Sequence, residues 1–161
     1  MSIRRDASSK FGKSNRWANF WSVGLLWDAK LEKFLNDIDW VNIAQVSTSY
    51  GTSGNSSIPN YDHMPLYAAG PEYSGMTGIA PYTRGNEMLT WEKLNTYNLA
   101  LKLGFFNRVE LNAELYHKKT TDMLMEVPIT LGNGTAMEWD NIGAMVNRGV
   151  ETNVNVHVLQ H

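Results

Sequence analysis

Between Tyr97 and Phe105 every second residue is apolar. Tyr97, Leu99, Leu101, Leu103 and Phe105 share one parity; Asn98, Ala100, Lys102 and Gly104 share the other. The next stretch repeats this, with Val109, Leu111, Ala113 and Leu115 set against Glu110, Asn112, Glu114 and Tyr116. Near the C-terminus Val150, Thr152, Val154, Val156 and Val158 oppose Glu151, Asn153, Asn155 and His157. Successive side chains of a strand point to opposite faces, so each stretch is a ribbon with one apolar and one hydrophilic side.

Parity also constrains how the ribbons join. Cross-strand neighbours share a face, so Phe105 must meet Val109, Leu103 must meet Leu111, and Leu101 must meet Ala113. That requires an odd loop, most simply Phe106-Asn107-Arg108. A two-residue turn would set Phe105 against Glu110 and scramble both faces. Asn107 suits the tight loop because asparagine tolerates unusual backbone angles.

Two further strands follow the same logic. Trp17, Trp21, Val23, Leu25 and Trp27 share a parity, interrupted by Asn19, and Ala44, Val46, Thr48 and Tyr50 oppose Gln45, Ser47 and Ser49. Between them Leu31, Phe34, Leu35 and Ile38 fall at helical spacing with Asp28 placed to cap, which predicts one short helix. Residues 51–90 are rich in Gly, Ser, Pro, Asn and Tyr without a sustained period, and 129–147, with Gly132-Asn133-Gly134, form a second long loop. Loops of that length are usually functional or mobile.

Composition removes several classes. The 161 residues contain no Cys, which excludes disulfides, thiolate metal sites and a cysteine nucleophile. A net charge of −2 without clustering argues against a nucleic-acid partner. No apolar run approaches the roughly 20 residues of a membrane helix, and Met1-Ser2-Ile3-Arg4-Arg5-Asp6 carries no signal-peptide core. Transmembrane strands escape this filter, because their signal is alternation. Connections also alternate between compact (29–38, 106–108) and long (51–90, 129–147), the layout of outer-membrane barrels and of some soluble sandwiches. The fold expected is therefore all-β, an antiparallel meander of long hairpins with one short helix.

Six strings, in order, resemble the barrel of SusC/RagA-type TonB-linked outer-membrane transporters of Bacteroidetes, which take up glycans and peptides. Arg4-Arg5-Asp6-Ala7-Ser8-Ser9-Lys10-Phe11-Gly12 is similar to the family's Arg-Arg-Asp-Gly-Ser-Ser-Arg-Phe-Gly, and Asn15-Arg16-Trp17 with Phe20, Ser22-Val23 and Trp27 to its next strand. Ser49-Tyr50-Gly51-Thr52-Ser53-Gly54-Asn55 resembles a loop entry. Asn86-Glu87-Met88-Leu89-Thr90-Trp91-Glu92-Lys93 resembles another string, with Glu87 where the family has Pro. Tyr116-His117-Lys118-Lys119-Thr120-Thr121-Asp122-Met123-Leu124 and Asn141-Ile142-Gly143 through Met145, Asn147-Arg148-Gly149-Val150-Glu151 complete the set.

The resemblance implies an outer-membrane location for the parent protein, with TonB, lipid and a SusD-like lipoprotein as partners and no cofactor. Such transporters have a plug and a barrel of about 22 strands. No segment here resembles the plug, and the expected strands are too few. The chain, 1–161 as a single partial domain, therefore reads as a barrel segment, not transport-competent alone and prone to self-association through its strand edges. The apolar parity would face lipid. Asn98, Lys102, Glu110, Asn112, Glu114, Glu151, Asn153 and Asn155 would face the lumen.

Candidate chemistry is sparse. Glu110 and Glu114 share a strand face and could serve as an acid/base pair, but a solvated lumen provides the same arrangement. His63, His117, His157 and His161 lie in separate elements without metal-ligand spacing. No nucleophile elbow occurs, so neither a catalytic nor a metal site is expected. Trp17, Trp27, Tyr97 and Phe105 sit near strand ends, where interfacial girdles form. Tyr61, Tyr67, Tyr73, Tyr82 and Trp139 lie in the long loops and are candidates for stacking on sugars or for packing the loops down. Asn55-Ser56-Ser57 and Asn133-Gly134-Thr135 match a glycosylation pattern that a bacterial source makes uninformative. The alternatives are a carbohydrate-binding β-sandwich, soluble or at the cell surface, and a surface adhesin recruiting partner strands at its edges.

Overall fold

A computed structural model describes residues 1–129 and 137–158. Six long strands form one antiparallel sheet in sequence order: β1 (Ser2–Ala7), β2 (Trp17–Asp28), β3 (Val41–Asn55), β6 (Glu92–Phe105), β7 (Val109–Thr121) and β10 (Ala144–Val156). The four remaining strands make two small hairpins, β4 (Leu66–Tyr73) with β5 (Met76–Thr83) and β8 (Leu124–Pro128) with β9 (Met137–Asn141). The Gly132-Asn133-Gly134 turn, the Asn133-Gly134-Thr135 triplet and His161 lie outside the described residues.

The parity argument for β6 and β7 holds residue by residue. Phe105 pairs with Val109, Leu103 with Leu111 and Leu101 with Ala113. Phe106 and Asn107 both take φ of 55°, and the Arg108 amide closes the turn on the Phe105 carbonyl at 2.9 Å. Asparagine occupies that region readily; phenylalanine does not. Phe106 is held there by tertiary contacts, its amide donating to the Trp40 carbonyl at 2.8 Å and its ring stacking on Trp40 at 5.9 Å.

Register carries the two-faced pattern across the sheet. On one face Trp27, Val46, Leu101, Ala113 and Thr152 form a row, and Leu25, Thr48, Leu99, Leu115 and Val150 form the next. The opposite face has Asp28, Gln45, Lys102, Asn112 and Asn153 in one row and Leu26, Ser47, Ala100, Glu114 and Glu151 in another. The apolar face is uncovered over its middle, where Leu25 is 70% and Val150 67% exposed. A sandwich would bury these rows against a second sheet. Here the small hairpins belong to the long connections, and the sandwich expectation is not what the described residues build.

Three differences from the sequence expectation have local causes. The polar residues of β1 show no alternation in the sequence, yet the strand pairs along β2 from Ser2↔Ser22 to Ala7↔Trp17. The expected helix after Asp28 is broken into a 3-10 turn (Ala29–Leu31) and a single turn α1 (Lys33–Asn36), because Glu32 between them is extended. Asp28 does cap, its Oδ1 accepting from the Lys30 amide at 3.2 Å. The stretch after Tyr50 is not all loop: β3 continues to Asn55, and the β4–β5 hairpin turns through Ser74 (φ 52°) and Gly75 (φ 75°).

Connections at one end of the sheet are compact, covering 29–40 and 106–108. At the other end they span 8–16, 56–91 and 122–143. Each end has its own small core. Phe11, Phe20, Ile58, Leu89 and Trp91 are buried at the long-connection end, and Ala29, Val41 and Ala44 at the other.

Candidate functional site

The hydrophilic face is the first candidate surface. Asn98, Lys102, Glu110, Asn112, Glu114, Glu151, Asn153 and Asn155 all lie on it, because β7 pairs with both β6 and β10 in a register that keeps parity. Lys102 Nζ stands 4.0 Å from Glu110 Oε2 across one strand gap. Glu114 is directly opposite Glu151, a like-charge pairing that costs stability when nothing intervenes. Gln45, Ser47, Lys102, Asn112, Glu114 and Asn153 line a groove of about 510 Å³ here. Its polar side chains offer hydrogen-bond donors and acceptors beside the apolar Leu26.

The long-connection end is the second. Its loops are bolted together by asparagine side chains. Asn141 Oδ1 accepts from the Thr90 amide at 2.8 Å, while its Nδ2 donates to the carbonyls of Thr90 (2.9 Å) and Asp122 (2.8 Å). Asn86 Nδ2 donates to the Trp139 carbonyl and to Asp140 Oδ1, both at 3.2 Å. Asn15 Nδ2 reaches the Met88 and Leu89 carbonyls at 3.1 and 3.3 Å, and the Trp91 indole donates to the Arg16 carbonyl at 3.1 Å. Phe11 and Leu89, both fully buried, fill the space beneath, with the Phe11 and Trp91 rings 5.4 Å apart. Three separate connections are thereby joined in one clamp over the strand ends.

A sheet segregated into apolar and hydrophilic faces, with a braced set of long loops at one end, has known counterparts. The family model described as TonB dependent receptor-like, beta-barrel matches residues 1–160. The chain belongs to the TonB-dependent receptor β-barrel family. It is 35% identical over 154 residues to TonB-dependent receptor P39 of Formosa agariphila, covering 95% of this chain and 15% of that receptor. It is 36% identical over 162 residues to TonB-dependent receptor SusC of Bacteroides thetaiotaomicron, covering 95% of this chain and 16% of SusC. Among solved structures it is similar to the RagAB peptide importer in the closed-closed state, with a TM-score of 0.90, 36% identity, and coverage of 99% of this chain and 18% of that one. The open-open state gives a TM-score of 0.86 with the same coverage. The chain thus spans less than a fifth of the relatives it matches.

In this member of the TonB-dependent receptor family the loop aromatics separate. Tyr61 (φ 71°), Tyr67 and Tyr82 are exposed, the last two on the β4–β5 hairpin, and Tyr73 ends β4. Trp139 instead packs against the buried Phe11–Trp91 cluster. The strand-end aromatics also divide. Tyr97 lies opposite Tyr50, whose ring is 5.1 Å from Trp21. Trp27 and Phe105 lie toward the compact end, while Trp17, under the Arg5 guanidinium at 4.7 Å, sits beyond the apolar band.

His63, His117 and His157 stand on separate elements. His63 is buried, and its Nδ1 has no hydrogen-bond partner among the described residues. It borders a cleft of about 690 Å³ with Lys13, Arg16 and Glu87. Nearby, half-buried Asp62 has its pKa raised above the ordinary carboxylate value, first by desolvation and second by the negative charge of Glu126. Asn86 and Asn141 were visible in the sequence only as members of recognised strings. Their roles depend on long-range contacts that no local period encodes.

Proposed function

We propose that the chain is a wall segment of an outer-membrane TonB-dependent importer of glycans or peptides. In this reading the open apolar band faces lipid and the hydrophilic face lines the lumen. The long connections stand outside the cell, where they meet substrate and a SusD-like lipoprotein. The observation that carries it is the segregation of the two faces across the β2–β10 rows, with Leu26 the main exception and the apolar side uncovered over its middle. From Tyr97 to Phe105 the band runs nine residues along β6, eight steps or about 27 Å of strand, about 19–22 Å tall at the usual tilt. That is close to the roughly 25 Å apolar band of outer-membrane barrels.

Six strands are about a quarter of a 22-stranded wall. A quarter of a wall encloses no pore, so the segment alone carries no transport; its β1 and β10 edges would self-associate. The work of this wall is conduction and recognition, not bond cleavage. Uptake of glycans and of peptides by the assembled protein, in cells with and without TonB, tests the reading alongside solute flux into vesicles carrying only this chain. TonB-dependent uptake by the assembly and none by the chain is expected. Flux through the chain alone, or an assembled protein soluble without detergent, refutes it.

A further inference from the structure

The 29–40 connection lies outside the wall, against its apolar face. Ala44 pairs with Leu103, on the same face as the exposed rows above them, yet Ala44 is only 6% exposed. Leu35 and Ile38 of the connection supply the cover, packing with Ala29, Val41, Leu103 and Phe105. A turn that merely crossed below the strand ends could not shield outward-facing Ala44. The connection has folded back and up along the outer surface.

It exposes three large apolar side chains beside Glu32, Lys33, Asn36, Asp37 and Asp39. Leu31 is 79% and Phe34 64% exposed, and Trp40, also exposed, stacks on Phe105 at 5.8 Å. Much of its backbone is paired from within. Lys30 Nζ donates to the carbonyls of Leu35, Asn36 and Ile38 at 2.9, 3.3 and 3.0 Å. The Leu35, Asn36, Ile38 and Val41 amides find carbonyls inside the same stretch, and the Trp27 indole donates to Glu32. Such capping by lysine also occurs in water, but it suits a turn at the edge of a hydrocarbon layer, where unpaired backbone groups are costly. Amphipathic elements that lie in a membrane interface combine the same features, an apolar side inward to lipid and charges at the headgroups.

We propose that residues 29–40 form an interfacial anchor, with Leu31, Phe34 and Trp40 inserted at the headgroup–acyl boundary of the phospholipid leaflet at the compact end. This rests on the reading of the apolar band as lipid-facing and extends it to a connection that secondary structure alone would place in water. Lys33, Asp37 and Asp39 then stand among the headgroups, and the anchor sets the depth of the wall. The ring pair of Trp40 with Phe105 and Phe106 joins the anchor to the β6–β7 turn, so both compact connections share one rim.

The absence of native cysteine in the chain makes the test direct. Single variants Leu31→Cys, Phe34→Cys, Val150→Cys and Asn153→Cys carry a nitroxide label in the assembled, otherwise cysteine-free protein. It is reconstituted in phosphatidylethanolamine–phosphatidylglycerol vesicles. Power-saturation spectroscopy compares collisions with oxygen, which concentrates in lipid, and with a water-soluble nickel chelate. Labels at 31 and 34 are expected to show an oxygen-to-nickel ratio several-fold above that at 153 and toward that at 150. If 31 and 34 match 153 while 150 reads lipid, the anchor is refuted and the wall reading stands. If 150 also reads water, the wall reading falls, and the anchor with it.

Discussion

Replacing Asn141 with alanine should unlatch the loop clamp while leaving the sheet intact. The amide side chain makes three hydrogen bonds of 2.8–2.9 Å, two to the Thr90 backbone and one to the Asp122 carbonyl. Each is part-buried, and alanine leaves all three backbone groups without this partner. At about 1 kcal/mol per bond, with some excess for orphaned groups, the loss is about 2–4 kcal/mol. Since about 1.4 kcal/mol is a factor of ten, local opening rises about 30- to 700-fold. Hydrogen exchange followed by mass spectrometry on peptides spanning 86–93 and 122–128 of the assembled protein reads this directly. Peptides from the middle of β6 and β7 should keep their protection, because their ladder does not pass through Asn141. Asn153→Ala, exposed on the groove face, is the control and should shift nothing measurable. Asn141→Asp should be no better than alanine, since it points a carboxylate at two carbonyls. Unchanged protection around Thr90 in Asn141→Ala would refute the clamp. Equal loss throughout the sheet would show that Asn141 acts globally and refute it as well.

Other substitutions test the remaining elements. Asn107 holds a φ of 55°, so Asn107→Gly should be tolerated, whereas Asn107→Val should cost at least about 1–2 kcal/mol in denaturant titrations. A Cβ on Gly54 would overlap the Phe20 ring and press on Trp91, so Gly54→Ala should lose about 1–3 kcal/mol by the same measurement. Val150→Arg should destabilise the vesicle-inserted protein by about 2–4 kcal/mol, while Glu151→Arg, one residue on and facing Glu114, should not. Asp62, whose raised pKa means that the folded loops hold its proton more tightly than the unfolded chain does, favours folding most at low pH. That contribution is complete below the ordinary carboxylate pKa and is lost as pH rises through the raised value. Asp62→Asn should therefore flatten the pH dependence of loop protection near 62 in hydrogen exchange.

The strands were legible wherever one face is apolar and the other wet, because a period of two then survives along the chain. The same parity fixed the β6–β7 register, since slipping by one would set Leu103 among the glutamates. β1 was illegible because Ile3 stands almost alone among polar residues; only its partner β2 makes it a strand. Helical spacing through Leu31, Phe34, Leu35 and Ile38 gave the right amphipathicity and the wrong length. Extended Glu32 divides the segment, and the pull of Leu35 and Ile38 toward Ala44 decides its shape. The β4–β5 hairpin has Gly70, Pro71 and Gly78 where a strand would normally keep its alternation, so its pairing is interrupted between Ala69 and Glu72.

The strings that made the family recognisable coincide with the clamp more than with the groove. Phe11 belongs to the first string, Asn15 and Arg16 to the second, Asn86, Leu89 and Trp91 to the fourth, and Asn141 to the last. All of them brace loops or fill the core beneath. Of the eight polar residues assigned to the wall, only Glu151 falls within one of these strings, since any hydrophilic side chain keeps a strand face wet. Recognition by sequence therefore reports how the long connections are held over the strand ends. Under the proposed function, the residues that meet substrate are those the clamp leaves exposed, Tyr61, Tyr67 and Tyr82 among them. On that reading, a braced base would let substrate preference change at the tip without loosening the wall. Exchanging the β4–β5 hairpin should accordingly alter what is bound while hydrogen exchange at Thr90 and Asn141 stays the same.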